Sequence, residues 1–328
     1  MSHPEEATLA ALAEGALSGD ARAGVEAHLE QCDGCRQLVA QLLKALGDEG
    51  DARGPHRGQV VGRFVVLEPI GAGALGEVFS AWDSTLERAV ALKWLYPSLL
   101  GETANARARL LAEARAAAKV QHPNVVTVFE VVDWAQTQVI VMELVPHAQT
   151  LRRALAGKGW REATARYVDA ARGLEAAHAA GVVHGDFKPD NVLLGEGRVR
   201  VCDFGLSRAL PAPAPGTESS SKRTSVSGTP AYLSPERWQG AAATAATDAF
   251  ALCCSLWESL TGELPFRARE TDARLAEMKE GPPAPPPGVM PPGLEAVLRR
   301  GLAFEPAARF ASLAALREAL EALLAPRR

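Results

Sequence analysis

Residues 184–191 read HGDFKPDN, and this octapeptide brings two carboxylates, an ammonium group and an amide within eight positions. Asp186, Lys188 and Asn191 are spaced so that their side chains could face one small volume. The octapeptide therefore marks a candidate site, whose chemistry depends on the motifs around it.

A glycine-rich stretch lies upstream, in the sequence IGAGALGEVF of residues 70–79. Gly71, Gly73 and Gly76 follow the spacing G-x-G-x-x-G, which lets a backbone approach a bulky anion without a clash from Cβ atoms. A dinucleotide-binding turn would need a helix to begin here, whereas the strand-forming residues 77–79 follow. We therefore predict a hairpin that covers phosphate groups.

Lys93 lies in the otherwise apolar run AVALKWL of residues 89–95. An ammonium group without an anionic partner is costly in such a strand, so we predict that Lys93 is paired. Glu113, in the helix-forming run of residues 109–120, is the candidate partner, and an outward-facing solvated lysine is the alternative. A Lys–Glu pair under the glycine-rich hairpin would orient nucleotide phosphates.

Six pieces of sequence, taken in order, resemble the eukaryotic-like serine/threonine protein kinases of bacteria. They are GAGALGEV, AVALK, Glu113, HGDFKPDN, DFG at residues 203–205 and SPE at residues 234–236. The resemblance covers roughly residues 62–325 and implies a bilobal α+β fold. It places a β-rich N-lobe at residues 62–145 and an α-helical C-lobe at residues 146–325. The residue pattern agrees, because short β-branched runs begin at Phe64 and a helical pattern follows Leu151.

The resemblance also implies the roles of the motif residues. Asp186 would accept or orient the proton of the substrate hydroxyl, and Lys188 would steady the transferring phosphoryl group. Asn191 and Asp203 would bind Mg²⁺ or Mn²⁺. Lys93 and Glu113 complete the predicted catalytic set. The predicted ATP-binding residues are Ile70, Gly71, Gly73, Gly76, Val78, Ala91, Lys93, Met142, Glu143 and Val145.

Three further residues are predicted to be structural. Glu236 resembles the acid that pairs with a late arginine, here Arg309, and Asp248 resembles the helix residue that braces the catalytic loop. Thr229 is expected to contact that loop rather than to be modified.

The chain departs from its relatives at Gly185, where many of them carry an arginine that pairs with a phosphate on the activation loop. Glycine cannot do this. We therefore expect activity to depend less on activation-loop phosphorylation, unless another cation takes this role. Thr224, Ser225 and Ser227 are the candidate autophosphorylation sites, because they lie in a hydroxyl-rich stretch.

The sequence HLEQCDGC of residues 28–35 places His28, Cys32 and Cys35 at the spacing H-x-x-x-C-x-x-C, which suits a zinc ion. The surrounding sequence resembles the zinc-binding anti-sigma-factor domains, and this resemblance makes His3 the fourth ligand. The alternative is a small apolar helical bundle with two incidental thiols. We predict a helical zinc-finger-like module at residues 1–47 and a flexible linker at residues 48–61. The module would bind a regulatory protein partner.

Composition and hydropathy argue against nucleic-acid binding, secretion and a membrane span. A net charge of −4 gives no reason to expect nucleic acid as a partner, and five unevenly spaced cysteines fit a reducing cytoplasm. Residues 240–257 are the most apolar stretch, but Asp248 interrupts them, so we predict a buried helix and no membrane span.

These observations predict a cytoplasmic serine/threonine protein kinase that uses ATP and Mg²⁺ or Mn²⁺, carries Zn²⁺ and phosphorylates proteins, itself included. The alternative is a pseudokinase-type scaffold whose zinc module binds a transcription or signalling partner. The presence of Lys93, Glu113, Asp186, Asn191 and Asp203 favours the enzyme.

Overall fold

The computed structural model describes residues 3–13, 17, 19–29, 32, 34–35, 38–39, 54–73, 75–96, 104–135, 137–204 and 228–325. The chain forms two compact units. The first comprises Met1–Thr103 and Val128–Leu144, and the second comprises Ala104–Thr127 and Val145–Arg328.

The first unit contains a six-stranded antiparallel sheet in the order β1-β2-β3-β4-β6-β5. The central strands β4 and β6 are almost entirely buried, which explains their nearly continuous apolar sequences. Phe64, Val66, Phe79, Leu92 and Val141 form part of the core against this sheet. The strands are β1 Val60–Val61, β2 Phe64–Gly73, β3 Gly76–Asp83, β4 Arg88–Leu95, β5 Val128–Trp134 and β6 Thr137–Glu143.

The glycine-rich stretch forms the turn of the β2–β3 hairpin, as predicted. Gly73 pairs with Gly76, and Gly71 pairs with Val78. A Cβ atom on Gly76 would lie 1.9 Å from the carbonyl oxygen of Trp94. The neighbouring strand β4 therefore approaches too closely for any residue but glycine at this position.

The last part of the predicted linker, residues 54–61, belongs to the sheet unit. Gly54 lies against the indole of Trp94, where a Cβ atom would come within 2.9 Å of the ring. The Gly58 amide donates to the Val66 carbonyl at 2.8 Å, and β1 pairs with β2. This segment thus satisfies backbone groups at the edge of the sheet.

The N-terminal module contains two helices, α1 Glu6–Ala13 and α2 Gly19–Leu29, among its described residues. They agree with the helical character predicted for this module. Its small apolar core consists of Leu9, Val25, Cys35 and Val39.

The second unit is mostly helical and contains a three-stranded antiparallel sheet in the order β7-β8-β9. The strands are β7 Gln149–Thr150, β8 Val192–Gly195 and β9 Arg198–Val201. The helices are α3 Ala104–Ala117, α4 Leu151–Ala154, α5 Trp160–Ala179, α6 Pro235–Trp238, α7 Ala245–Thr261, α8 Thr271–Glu280, α9 Pro292–Gly301 and α10 Leu313–Leu324.

Helix α7 is the central element of the second unit. Phe250, Cys253, Cys254 and Trp257 on it are buried almost completely, which confirms the predicted buried helix. Gly262 caps the C-terminus of the helix, and its φ of 77° is the left-handed conformation that glycine adopts at helix ends. Among the residues that the structure describes, no helix has the length and apolar character to cross a membrane.

Candidate active site

The 184–191 loop connects α5 to β8 and is anchored on α7 through Asp248. The backbone amides of His184 and Gly185 donate to the two oxygens of the Asp248 carboxylate at 2.8 and 2.9 Å. The Nε2 atom of His178 lies 2.8 Å from the same carboxylate. Because Asp248 is 1% exposed, these contacts are shielded from water and hold the loop firmly.

His184 connects the loop to the segment after β9. Its Nδ1 atom accepts from the Asp186 amide at 3.2 Å, so Nε2 carries the proton and donates to the Cys202 carbonyl at 2.9 Å. The rings of Phe187 and Phe204 pack against the imidazole, with centroids 5.7 and 4.8 Å away. The histidine thus fixes Asp186 through the backbone.

Asp186, Lys188 and Thr229 form a compact polar group. The Lys188 ammonium donates to Asp186 Oδ2 at 3.0 Å and to the Thr229 hydroxyl at 2.6 Å. The Thr229 amide donates to Asp186 Oδ1 at 2.6 Å. Thr229 therefore contacts the loop, as the sequence predicted, and both carboxylate oxygens of Asp186 have a partner.

Asn191 and Asp203 carry the oxygen atoms that a hard divalent cation prefers. The Asn191 side-chain NH₂ donates to the Asp186 carbonyl at 2.9 Å, which orients the amide oxygen as the remaining ligand atom. Asp203 has a left-handed backbone with φ of 66°, a conformation that is uncommon outside glycine and concentrates at functional sites. The residue types and the fixed amide fit a magnesium site.

Gly185 also has a left-handed backbone, with φ of 76°. An arginine at this position would adopt a conformation that side chains disfavour, whereas glycine adopts it without strain. A small cavity of about 10 Å³ lies beside it, lined in part by Thr229 and Arg237, and has room for about one water molecule.

The turn that follows Thr229 is here called the substrate loop, residues 229–233, and Arg152 of α4 ties it to the 184–191 loop. The Arg152 guanidinium donates to the Asp190 carboxylate at 2.9 Å, to Glu258 at 2.7 Å and to the Tyr232 hydroxyl at 2.6 Å. The Tyr232 hydroxyl donates to Glu258 at 2.6 Å, and burial raises its pKa. Sequence reasoning missed this network, because no motif marks Arg152.

The predicted structural acid Glu236 lies in α6, after the substrate loop. Arg309 donates to its two carboxylate oxygens at 2.8 and 2.7 Å, and also to the carbonyls of Ala303 and Phe304. Such a two-pronged contact between planar groups is among the stronger polar interactions in proteins. It ties α6 to the segment that precedes α10.

In the first unit, four of the predicted ATP-binding residues lie on one face of the sheet. Val78 pairs with Lys93, and Ala91 pairs with Met142. Directly paired residues share a face, and Ala91 and Lys93 are two positions apart on β4, so all four side chains lie on the same side. Lys93 is 5% exposed.

The remaining predicted residues are distributed over both units. Ile70 is exposed on β2, and Glu143 ends β6. Val145 begins the second part of the helical unit, and Glu113 is half-buried on α3 of that unit. The candidate phosphorylation sites Thr224, Ser225 and Ser227 lie outside the described residues.

A separate cluster in the first unit brings His3, His28, Cys32 and Cys35 together. One ligand atom from each lies within 4.8 Å of the others. His3 Nδ1 is 3.3 Å from Cys35 Sγ and 3.4 Å from Cys32 Sγ. Zinc bonds of 2.0–2.3 Å in a tetrahedron give ligand separations of about 3.3–3.8 Å, which these distances match.

His28 supplies a further argument for a metal. Its Nε2 atom is buried without a hydrogen-bond partner among the described residues. A buried polar nitrogen is normally paired, and a metal ion would satisfy it. The four residues therefore fit zinc.

Residues 64–320 match the family described as "Protein kinase domain", and residues 6–36 match the family described as "Putative zinc-finger". The chain belongs to the protein kinase family. The kinase chain is 32% identical over 326 residues to serine/threonine-protein kinase Pkn1 of Myxococcus xanthus, an alignment that covers 94% of this chain and 43% of Pkn1. It is 35% identical over 267 residues to serine/threonine-protein kinase PknD of Mycobacterium tuberculosis, an alignment that covers 79% of this chain and 39% of PknD. The chain thus spans less than half the length of these relatives.

Solved structures confirm the fold. The kinase domain of Mycobacterium tuberculosis PknI superposes with a TM-score of 0.64 at 25% identity, covering 82% of this kinase and 98% of that chain. The predicted kinase fold, with a β-rich N-lobe and a helical C-lobe, is therefore correct. The predicted resemblance to bacterial serine/threonine kinases with a zinc-finger-like module is also confirmed.

Proposed function

We propose that this chain is a serine/threonine protein kinase, which transfers the γ-phosphoryl group of ATP to serine and threonine hydroxyls of proteins. The observation that carries the proposal is the contact of Asp186 with Lys188 and Thr229, in a chain of the protein kinase family. The relatives named serine/threonine-protein kinases support the same residue specificity. Autophosphorylation at Thr224, Ser225 or Ser227 is part of the proposal.

In the proposed reaction, Asp186 orients the substrate hydroxyl and accepts its proton as the oxygen attacks the γ-phosphorus. The bond from this phosphorus to the β,γ-bridging oxygen breaks, and ADP leaves. Lys188 lies 3.0 Å from this carboxylate and would offset the negative charge of the transferring group. The bonds from Lys188 and Thr229 limit the rotation of the Asp186 side chain. This preorganisation supports a catalytic rather than a purely structural carboxylate.

The proposed cofactors are ATP and Mg²⁺ or Mn²⁺. Asn191 and Asp203 would hold the divalent cation, which when bound neutralises the charge of the phosphates. The glycine-rich hairpin, with Gly71, Gly73 and Gly76, and the buried Lys93 would contact the phosphates. The adenine would contact Val78, Ala91, Met142, Glu143 and Val145, with Ile70 beside them. Glu113 remains the proposed partner of Lys93 in the catalytic set.

The test is phosphoryl transfer from labelled ATP by wild type and by Asp186→Asn, with Asp169→Asn on helix α5 as the control. We expect Asp186→Asn to lose transfer while ATP binding and the melting temperature stay close to wild type. The control should keep full activity, because Asp169 pairs with Arg172 at the surface. Equal labelling by wild type and Asp186→Asn would instead favour the pseudokinase alternative.

We also propose that His3, His28, Cys32 and Cys35 bind one zinc ion. Metal analysis of the purified chain should find about one zinc per molecule. A Cys32→Ser/Cys35→Ser variant should lose it, and a Cys253→Ser variant should keep it, because Cys253 is buried in α7. Retention of zinc by the double variant would contradict the proposal.

The proposed setting is the bacterial cytoplasm, and the five cysteines, none in a disulfide, support a reducing compartment. The proposed partners are protein substrates and a regulatory protein bound by the zinc-finger-like module. Because of Gly185, we propose that activity depends little on activation-loop phosphorylation. Phosphatase treatment should lower activity less than tenfold, and a larger loss would count against this independence.

A further inference from the structure

Arg274 of α8 is a buried arginine that the proposed reaction does not use. Its Nη2 atom donates to the Ala231 carbonyl at 3.0 Å and lies 3.4 Å from the Pro230 carbonyl. Both carbonyls belong to the substrate loop, directly after Thr229. Arg274 is 3% exposed, so this contact is shielded from water.

The charge of Arg274 is compensated by long contacts. Its guanidinium carbon lies 5.9 Å from the centroid of the Trp238 ring. Glu277 is its ion-pair partner at 4.0 Å, and the oxygens of that carboxylate also accept from the amides of Arg267 and Ala268. The Arg274 Nε atom is buried without a hydrogen-bond partner in the part of the chain that the structure describes. Burial lowers the pKa of the guanidinium.

A buried charge with such long pairing is weak evidence for a contribution to stability. Apolar residues of similar volume are often as stable or more stable at such positions. Substitutions that stabilise such a position can cost activity where a functional site depends on the original residue. The contact with the substrate loop is what Arg274 supplies in this case.

We propose that Arg274 is a positioning residue that holds the substrate loop in place for a protein substrate, and this inference rests on the proposed kinase function. Pro230–Tyr232 form a short 3-10 turn, and Arg274 holds the carbonyls at its start. Arg152 holds the Tyr232 hydroxyl at its end. The turn is thus restrained from both sides.

Thr229 transmits this restraint to the reacting groups. It precedes the turn directly and contacts both Asp186 and Lys188. If the turn moves, Thr229 moves relative to the carboxylate, and a displacement of about 1 Å can cost on the order of 10²-fold in rate. Thr229 contacts Asp186, the residue proposed to orient the substrate hydroxyl, so the effect concerns the protein substrate.

The experiment compares Arg274→Met with Arg299→Met. Arg299 is a matched control, because it also donates to two backbone carbonyls, those of Pro282 and Pro283 at 2.6 and 2.9 Å, but outside the substrate loop. The substrate is a peptide that the wild type labels on an array of serine- and threonine-containing peptides. The KM for this peptide and the kcat are then measured for each variant.

We expect Arg274→Met to lower kcat/KM for the peptide by about tenfold to a hundredfold. The KM for ATP should stay within about twofold, and the melting temperature should be unchanged or higher. Hydrogen exchange of the Tyr232 amide, which donates to the Thr229 carbonyl at 3.1 Å, should become at least tenfold faster. Arg299→Met should leave the peptide kinetics and this exchange rate unchanged.

Two results would overturn the inference. One is wild-type peptide kinetics in Arg274→Met. The other is a lower melting temperature with an unchanged exchange rate at Tyr232, which would mean a purely structural role. If wild type labels no peptide, the proposed function fails, and the exchange rates still decide whether Arg274 holds the loop.

Discussion

Two groups of polar residues differ in where their polar atoms find partners. One is the 184–191 loop, and the other is the cluster of His3, His28, Cys32 and Cys35. In the loop, the partners come from the protein itself, because Asp248 accepts hydrogen bonds from the backbone amides and Lys188 pairs with Asp186. In the cluster, the buried His28 Nε2 has no hydrogen-bond partner among the described residues. A preorganised site can be built by packing alone, whereas a ligand cluster is completed by an ion.

The largest effect is expected when zinc is removed. A chelator is used to strip the protein of metal ions, and Mg²⁺ is then added back. Structural zinc contributes about 10–16 kcal/mol in small zinc-binding peptides, so α1 and α2 should lose their protection from hydrogen exchange. The amides of His184 and Gly185 should keep theirs, because Asp248 holds them. Equal loss of protection in both regions would contradict the comparison.

Asp248→Ala should have the next largest effect, because it removes the carboxylate that accepts hydrogen bonds from the 184–191 loop. Two buried amides and His178 would lose their acceptor, which should lower the free energy of unfolding by about 3–5 kcal/mol. Phosphoryl transfer should fall by at least about a hundredfold. Urea denaturation measures the first effect, and Asp272→Ala, an exposed position on α8, should change it by less than about 1 kcal/mol.

The ion pair of Glu236 and Arg309 should make the stability of the protein depend on pH. Burial alone would raise the pKa of Glu236, but the hydrogen bonds and charge of Arg309 outweigh it and hold this pKa below its ordinary value. A lowered pKa means that the stabilisation is complete above the unfolded pKa of about 4.3 and is lost as pH falls through the folded pKa. Glu236→Gln should cost about 1.5–3 kcal/mol at pH 7.

The measurement is urea denaturation of both proteins between pH 3 and pH 7, expressed as the difference in free energy of unfolding. This difference should shrink as the pH falls, because protonation removes the charge that the variant already lacks. A difference that stays constant over the whole range would show that Glu236 does not titrate with folding.

The smallest expected effect concerns the hydroxyl of Tyr232. Tyr232→Phe removes one contact from Arg152 and one to Glu258, and should cost about 1 kcal/mol of unfolding free energy. Peptide phosphorylation should fall more than this stability loss explains. Tyr167→Phe is the matched variant, because its buried hydroxyl bonds to Ser255 and Ser259 on α7. It should change stability with little effect on activity.

Sequence reasoning identified the residues that lie in short motifs. The glycine hairpin, the 184–191 loop and the buried helix α7 follow from local spacing and composition. The contact of Thr229 follows from the family resemblance, and the structure contains all four. It missed Arg152 and Arg274. Arg152 reaches Asp190 and Glu258, which are 38 and 106 residues away, and an isolated arginine gives no local signal of such partners.

The sequence by itself determined the chemistry that is available, because residue types and short spacings already specify a carboxylate, an ammonium group and three metal-ligand side chains, and the family resemblance adds His3. Tertiary structure decided which of these groups are satisfied and which remain available to a ligand. Long-range contacts such as Arg152 with Glu258 depend on how helices and loops pack, and packing is a property of the whole unit rather than of any short segment.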